Sequence, residues 1–245
     1  MKHFLLALQF LTVLTLRPDL PAQAGDLARA RVWFAPVGAL MGLALALLSW
    51  LLTPRLPPLA AAAVLVVVWG ALSRFLHLDG LADTADALVH MTGRERALEI
   101  MKDSHLGAFG LCAVAGVILL KFGALASLEP GRLGQALFLA PVLGRSLAAG
   151  LSVLLPPAKP GQGLGAAAAG QGLMPLFISA LAAVAAALLA GGSAGLLATG
   201  AVLGLGMVLG LWFMRRLGGV TGDTLGAAIE TAEALSLLVL AGAWS

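Results

Sequence analysis

Uncharged apolar runs of membrane-spanning length alternate along the chain with short charged stretches. Residues 33–52 run for twenty positions without a charge, the length one helix needs to cross about 30 Å of hydrocarbon. Residues 59–76 form a second run, with Arg74 near its end, where a long side chain reaches the headgroups. Residues 107–128 and 133–155 predict a third and a fourth span, containing Lys121 and Arg145. From Pro160 to Met214 no residue is charged. That stretch is too long for one helix and predicts two, broken near Gly191-Gly192-Ser193. Residues 226–244 predict a last span, which holds Glu230 and Glu233. The apolar run from Phe4 to Leu16 covers thirteen residues, too few to cross, and predicts an interfacial or re-entrant helix. The pattern describes an all-α, polytopic helical membrane protein of six to seven transmembrane helices, organised as a single domain over residues 1–245.

Composition agrees. The chain is 60% hydrophobic and 11% charged, whereas a soluble domain carries about 25% charged residues. A formal charge of +3 is too slight to suggest nucleic acid as a partner. The single cysteine, Cys112, excludes an internal disulfide. Lys2 and His3, the apolar run and Ala22-Gln23-Ala24 resemble a secretory signal, but Arg17, Pro18 and Asp19 interrupt the route to that cleavage site. The predicted topology collects Lys2, Arg17, Arg29, Arg31, Arg74, Arg94, Arg96, Lys102, Lys159, Arg215 and Arg216 on one side, and only Arg55 and Arg132 on the other. The basic side is therefore expected to be cytoplasmic. Gly38 and Gly42, Gly200 and Gly204, and Gly206 and Gly210 recur at four-residue spacing and predict close helix packing.

Six of the twelve acidic residues fall between positions 79 and 103, in a loop over about residues 77–106 on the basic side. The block reads His77-Leu78-Asp79-Gly80-Leu81-Ala82-Asp83-Thr84-Ala85-Asp86. On a helix, Asp83 lies about 40° from Asp79, and Asp86 about 20° to the other side. Three carboxylates on one face repel unless a cation sits among them. Mg²⁺ takes a few carboxylates plus substrate phosphates. A merely solvated face would normally mix signs at this spacing. Downstream, Met101-Lys102-Asp103-Ser104-His105-Leu106-Gly107 offers Lys102 as a point charge for phosphate. Asp103 either completes the metal site or, like Ser104, caps the next helix. His90 and His105 read as structural or interfacial.

A second block, Gly218-Gly219-Val220-Thr221-Gly222-Asp223-Thr224-Leu225-Gly226, lies in a loop over about residues 215–226 on the same side. It reads as a tight turn capped by Thr221 or Asp223. Alternatively, its glycines and the following helix start would receive an anion, with Asp223 ligating metal. No Gly-Lys-Ser or Gly-Lys-Thr follows, so it is not a P-loop. Arg145, near the middle of its span, either binds an anionic substrate group or pairs with a carboxylate. Lys121 is closer to the far side and would snorkel. Glu230 and Glu233 share a helix face, as partners for Arg145 or for the metal.

Taken together, residues 78–88, Met101-Lys102-Asp103-Ser104 running into Gly107 and Gly110, and residues 218–227 resemble the cobalamin synthase family, the adenosylcobinamide-GDP ribazoletransferases. Ala7-Leu8-Gln9-Phe10-Leu11-Thr12 and Pro141-Val142-Leu143-Gly144-Arg145 are similar as well, so the resemblance covers the whole chain in order. It implies that α-ribazole or its 5′-phosphate attacks the phosphate of adenosylcobinamide-GDP, releasing GMP and forming adenosylcobalamin or its phosphate. It implies Mg²⁺ as cofactor, with Asp79, Asp83, Asp86, Asp103 and Asp223 as the metal and pyrophosphate candidates. Asp79, Asp83, Asp86 and Asp103 are the catalytic candidates. Lys102, Arg145, Gly219, Thr221 and Gly222 are the substrate-binding candidates. The implied location is the bacterial or archaeal inner membrane, with the site facing the cytoplasm. The expected partners are membrane lipid and the two substrates; a homo-oligomer, or a complex with other corrinoid-pathway enzymes, is compatible with the likeness. Two alternatives differ in pattern. A CDP-alcohol phosphatidyltransferase would have Ala-Arg where Asp83-Thr84 stands, and a later Gly-x₃-Asp-x₃-Asp. A transporter would not call for three carboxylates on a loop helix.

Overall fold

The computed structural model describes residues 1–21, 25–89, 93–103, 105–159 and 172–245. Ala22-Gln23-Ala24, His90, Ser104 and Pro160 lie outside the described residues. Helices carry most of the described chain: α1 (Lys2–Leu11), α2 (Asp26–Ala30), α3 (Phe34–Leu52), α4 (Pro58–Leu72), α5 (Leu76–Val89), α6 (Arg94–Ile100), α7 (Ala108–Ser127), α8 (Pro130–Leu154), α9 (Met174–Ala186), α10 (Gly192–Leu217) and α11 (Gly222–Trp244). Five segments are long and apolar enough to cross a membrane, or six if the bent pair α4–α5 counts as one span. The chain is an all-α integral membrane protein.

The expected break at Gly192 is present. A π-helical turn over Ala187–Gly191 ends at Gly192, whose φ of 56° is left-handed. The chain then doubles back. Gly195 lies against the backbone of Ala187. Leu176 on α9 and Gly210 on α10 meet neighbouring positions of α8, Gly150 and Leu151, while Gly191 meets Leu139.

α3 packs on α8 through Gly38 and Gly42. A Cβ at these positions would come within 2.6 Å of the Pro141 carbonyl oxygen and 2.5 Å of that of Phe138. Gly206 and Gly210 likewise receive Leu147 and Leu151. Gly200 and Gly204 do not fit the expectation, because nothing lies within 4 Å of a Cβ at either. They occupy the other face of α10.

α1 is ten residues long, about 15 Å, and does not span. It buries Ala7, Leu8 and Leu11 and is tied to α2 by the ion pair Lys2–Asp26 at 2.6 Å. Phe10 stacks on Phe34.

The second span ends at Leu72, four positions before the expected boundary. Arg74 (φ 54°) and Phe75 (φ 55°) then turn the chain by 86° into α5. Non-glycine residues in that region cost about 1–3 kcal/mol each. The bend is held by the Phe75 ring seated on Gly70 and by Arg74 donating to Thr15 Oγ1 at 2.6 Å. Arg74 is thus engaged with the N-terminal loop rather than with headgroups. α5 does not continue α4. It lies across the N-terminal ends of α7 and α11, touching the first turn of each.

Candidate functional site

Two glycines explain how α5 reaches α11. A Cβ at Gly80 would sit 2.8 Å from the carbonyl oxygen of Asp223 and 2.9 Å from its Cα. One at Gly226 would sit 3.2 Å from the Cα of His77. Backbones therefore touch at this crossing. Asp79 and Asp83, flanking Gly80 on α5, stand over the first turn of α11, where Asp223 emerges. The two acidic blocks, 140 positions apart, become one site.

The start of α11 is built by the glycine-rich block. Gly218, with φ 71°, ends α10 by donating its N–H to Met214 O. Gly219 packs where any Cβ would strike the carbonyl oxygen of Pro156. Val220 exchanges two backbone hydrogen bonds with Pro156 and Ala158, both 2.9 Å. Thr221 caps α11, accepting from Thr224 N at 3.2 Å while Thr224 Oγ1 accepts from Thr221 N at 2.8 Å. Gly219 and Thr221 thus serve the turn and cap, and Gly222 is exposed beside them. Asp223 projects from the first turn.

Like charges govern the electrostatics. Partial burial, then Asp79, Asp223 and Asp86, push the Asp83 carboxyl up to about 6. Asp79 is exposed, Asp83 half-buried and Asp86 buried. Asp86 points the other way along α5. Its two oxygens accept from the N–H groups of Gly107 (2.8 Å) and Gly110 (2.9 Å), at the start of α7. Cβ atoms at those glycines would collide with the carboxylate. A carboxylate on free amides at a helix start is a stable cap. Asp103 is not brought into the cluster. It is exposed and bonded to His105 Nδ1 at 2.5 Å, and that hydrogen bond holds its carboxyl below the usual range.

Lys102 is exposed. It lies within electrostatic reach of Lys159, which in turn faces Asp223. Lys159, expected only to mark orientation, is thus a basic residue whose charge acts on Asp223. Arg94 fixes that segment, donating to Leu217 O at 2.7 Å and Ala158 O at 2.6 Å. No spacing in the sequence signals these contacts, because they join three separate loops.

Arg145 is fully buried and donates to Glu233. The structure thereby gives it the carboxylate-pairing role rather than an open place for a substrate anion. Lys121 does not snorkel. It is buried, donates to Glu230 (2.6 Å) and Glu233 (2.5 Å), and lies 4.5 Å over the Trp69 ring. Two cations and two anions make a neutral cluster inside the helix bundle, so Glu230 and Glu233 are occupied by Arg145 and Lys121. The cluster touches the site through His77, whose Nδ1 lies 3.5 Å from Arg145 Nη2.

A cavity of about 370 Å³ adjoins Asp223. Phe10, Leu11, Phe34, His77 and Gly226 contribute to its walls, so α1 closes one side of it.

Among the described residues, no three Asp, Glu, His or Cys side chains are already grouped to hold a metal ion. The donor set nevertheless fits Mg²⁺. Asp79, Asp83 and Asp223 offer hard oxygens in one another's field without closing a cage, which suits an ion that draws its remaining ligands from phosphate and water.

The family model described as cobalamin-5-phosphate synthase matches residues 3–241. The chain is similar to curated proteins named adenosylcobinamide-GDP ribazoletransferase. That of Pseudomonas paraeruginosa is 45% identical over 98% of each chain. That of Pseudomonas fluorescens is 43% identical over 98% of this chain and 99% of the relative. That of a Roseiflexus species is 41% identical over 96% and 87%. No solved structure matches the chain.

Proposed function

Because the chain belongs to the cobalamin-5-phosphate synthase family, we propose that it is an adenosylcobinamide-GDP ribazoletransferase, Mg²⁺-dependent and working at the cytoplasmic face of the inner membrane. A ribose hydroxyl of α-ribazole, or of its 5′-phosphate, attacks the phosphorus bonded to adenosylcobinamide. The new P–O bond forms as the P–O bond to GMP breaks. The hydroxyl proton passes to a carboxylate, and GMP leaves.

The observation that carries this reading is the crossing of α5 and α11, which sets Asp79 and Asp83 beside Asp223. Phosphoryl transfer is mostly positioning and neutralisation of phosphate charge. When bound, Mg²⁺ would be held by carboxylates drawn from Asp79, Asp83 and Asp223 and would polarise the diphosphate. Lys159, with Lys102 at the rim, offsets the remaining negative charge of the diphosphate and of departing GMP. Whichever of the clustered aspartates does not ligate metal is placed to accept the hydroxyl proton. Asp86 keeps α5 docked on α7, and the Thr221 cap keeps Asp223 on the first turn of α11. The eleven basic residues against two support the cytoplasmic orientation of this end.

The test is turnover. Purified protein in detergent, given Mg²⁺, adenosylcobinamide-GDP and α-ribazole, should release GMP in step with formation of the joined product. Both should stop when Mg²⁺ is chelated. GMP release without joining, or turnover indifferent to chelation, would refute the mechanism.

A further inference from the structure

α9 and α10 meet at their hairpin, where Gly195 lies on Ala187, and beyond it each leans on α8 more than on the other. The gap between them is a cavity of about 490 Å³ with no charged residue in its walls. It runs from Leu143 to Leu154 along α8, about 17 Å, and from Thr199 to Met214 along α10, about 22 Å. One leaflet holds about 15 Å of hydrocarbon. The groove therefore has the depth of one leaflet, on the side where α10 ends and the carboxylate site begins. Its hydroxyl residues add little polarity. Thr199 donates to Gly195 O, and the Ser146 and Ser179 oxygens are shut off from the space. Leu203, Met207 and Leu211 line the groove and are exposed along its open side. Arg215 follows at the same four-residue interval, so this stripe ends in one exposed cation. Arg216 turns the other way, donating to Leu88 O at 3.4 Å.

We propose that this groove binds one acyl chain of an anionic phospholipid, with the headgroup phosphate held at Arg215. The inference stands apart from the transferase reading. A polar ligand would find no partner in these walls. Spread over about 20 Å of helix, 490 Å³ gives a cross-section of about 25 Å², a channel about 5 Å wide. A hydrocarbon chain fits such a channel. A helix from a second copy or a partner, about 10 Å across, does not. An empty recess would forfeit dispersion contacts along its whole lining, and the medium at this depth is lipid tails. A chain seated here touches three helices at once, where an ordinary bilayer lipid meets one flat face. Arg215 then selects among lipids, because a basic side chain at the membrane surface favours an anionic headgroup over a zwitterionic one.

The experiment titrates the full chain, purified in detergent, with phosphatidylglycerol or phosphatidylcholine of the same acyl chains. Bound lipid is counted by native mass spectrometry, and thermal unfolding is followed on the same samples. Wild type should retain one phosphatidylglycerol about fivefold more tightly than phosphatidylcholine, the worth of one basic side chain at the surface. Arg215→Gln should bind the two alike. Arg55→Gln removes an exposed cation from the opposite end of the bundle and should keep the preference. Ala180→Trp fills the groove from its exposed rim on α9 and should weaken both lipids by about tenfold, the effect of displacing about two methylenes. Phosphatidylglycerol should raise the unfolding temperature of wild type more than that of Ala180→Trp. Equal retention of the two lipids by wild type, a preference that survives in Arg215→Gln or vanishes in Arg55→Gln, or undiminished binding by Ala180→Trp would overturn the assignment. A wild-type dimer that Ala180→Trp splits would overturn it in favour of a second copy. None of these results bears on GMP release, so the transferase reading stands or falls separately.

Discussion

Replacing Gly80 with alanine acts directly on the crossing of α5 and α11. The added Cβ would stand 2.8 Å from the carbonyl oxygen of Asp223 and 2.9 Å from its Cα. Both neighbours are backbone and cannot swing aside. Restoring an ordinary carbon–carbon separation of about 3.5 Å requires the two helices to part by roughly 0.6 Å. Overpacking of this kind costs about 1–3 kcal/mol of stability. The effect on catalysis should be larger in proportion, because the separation moves Asp79 and Asp83 away from Asp223. A misplacement of about 1 Å can cost about 10²-fold in rate, so Gly80→Ala should lose about tenfold in GMP release. Gly116 supplies the control, since it lies in α7 and nothing stands within 4 Å of a Cβ there. Gly116→Ala should keep full activity and gain slightly in helix stability. The assay is GMP release at saturating Mg²⁺, with thermal unfolding in detergent measured on the same samples. A Gly80→Ala protein as active as wild type would refute the idea that backbone contact at this crossing sets the carboxylates.

Other outcomes follow from the same geometry. Lys121→Met leaves Glu230 and Glu233 with Arg145 as their one remaining cation in the cluster, and should destabilise the protein by about 3–5 kcal/mol; an unchanged unfolding temperature would count against the neutral cluster. Asp86→Ala removes the acceptor of two amides at the start of α7 and should cost about 1–2 kcal/mol, read as a lower unfolding temperature, whereas Asp103→Ala, on an exposed side chain, should leave that temperature alone. A carboxyl pushed up to about 6 is charged above that pH and neutral below it. The Mg²⁺ concentration for half-maximal activity should therefore rise as pH falls through about 6, because protons compete for Asp83; Asp83→Asn should flatten that dependence, and a curve with the wild-type shape would exclude Asp83.

Much of the fold was legible because the bilayer imposes a length on each charge-free run. The boundaries of α3, α7, α8 and α11 fall within a few residues of their expected positions, and the reversal at Gly192 falls where three small residues interrupt the longest run. The end of α4 was not legible, since two non-glycine residues with positive φ make the bend and nothing in their side chains announces it. The helical spacing of Asp79, Asp83 and Asp86 placed them on one face, but not what each would meet. α5 rests on two helix starts at once, so Asp86 is taken by the amides of α7 while Asp79 and Asp83 face α11. The convergence with Asp223 depends on Gly80 and Gly226, whose role is visible only once both helices are in place. Arg145 showed that a buried charge needed a partner; choosing Glu233 for it, and burying Lys121 against Glu230 and Glu233 instead of letting it snorkel, required the depth of each along its helix. Lys159 and His77 carried no spacing signal, because loop folding and helix crossing bring them to the site.

The most direct test of a shared divalent ion between α5 and α11 is a titration with Mn²⁺ in place of Mg²⁺. Bound Mn²⁺ would be followed by electron paramagnetic resonance in wild type, Asp83→Asn, Asp223→Asn and the double variant. Each single change should weaken binding by about tenfold or more, and the double variant should be far less impaired than the product of the two, as expected when both residues serve one site. Wild-type affinity in Asp223→Asn, or losses that simply multiply in the double variant, would mean that the two acidic blocks do not hold a common ion.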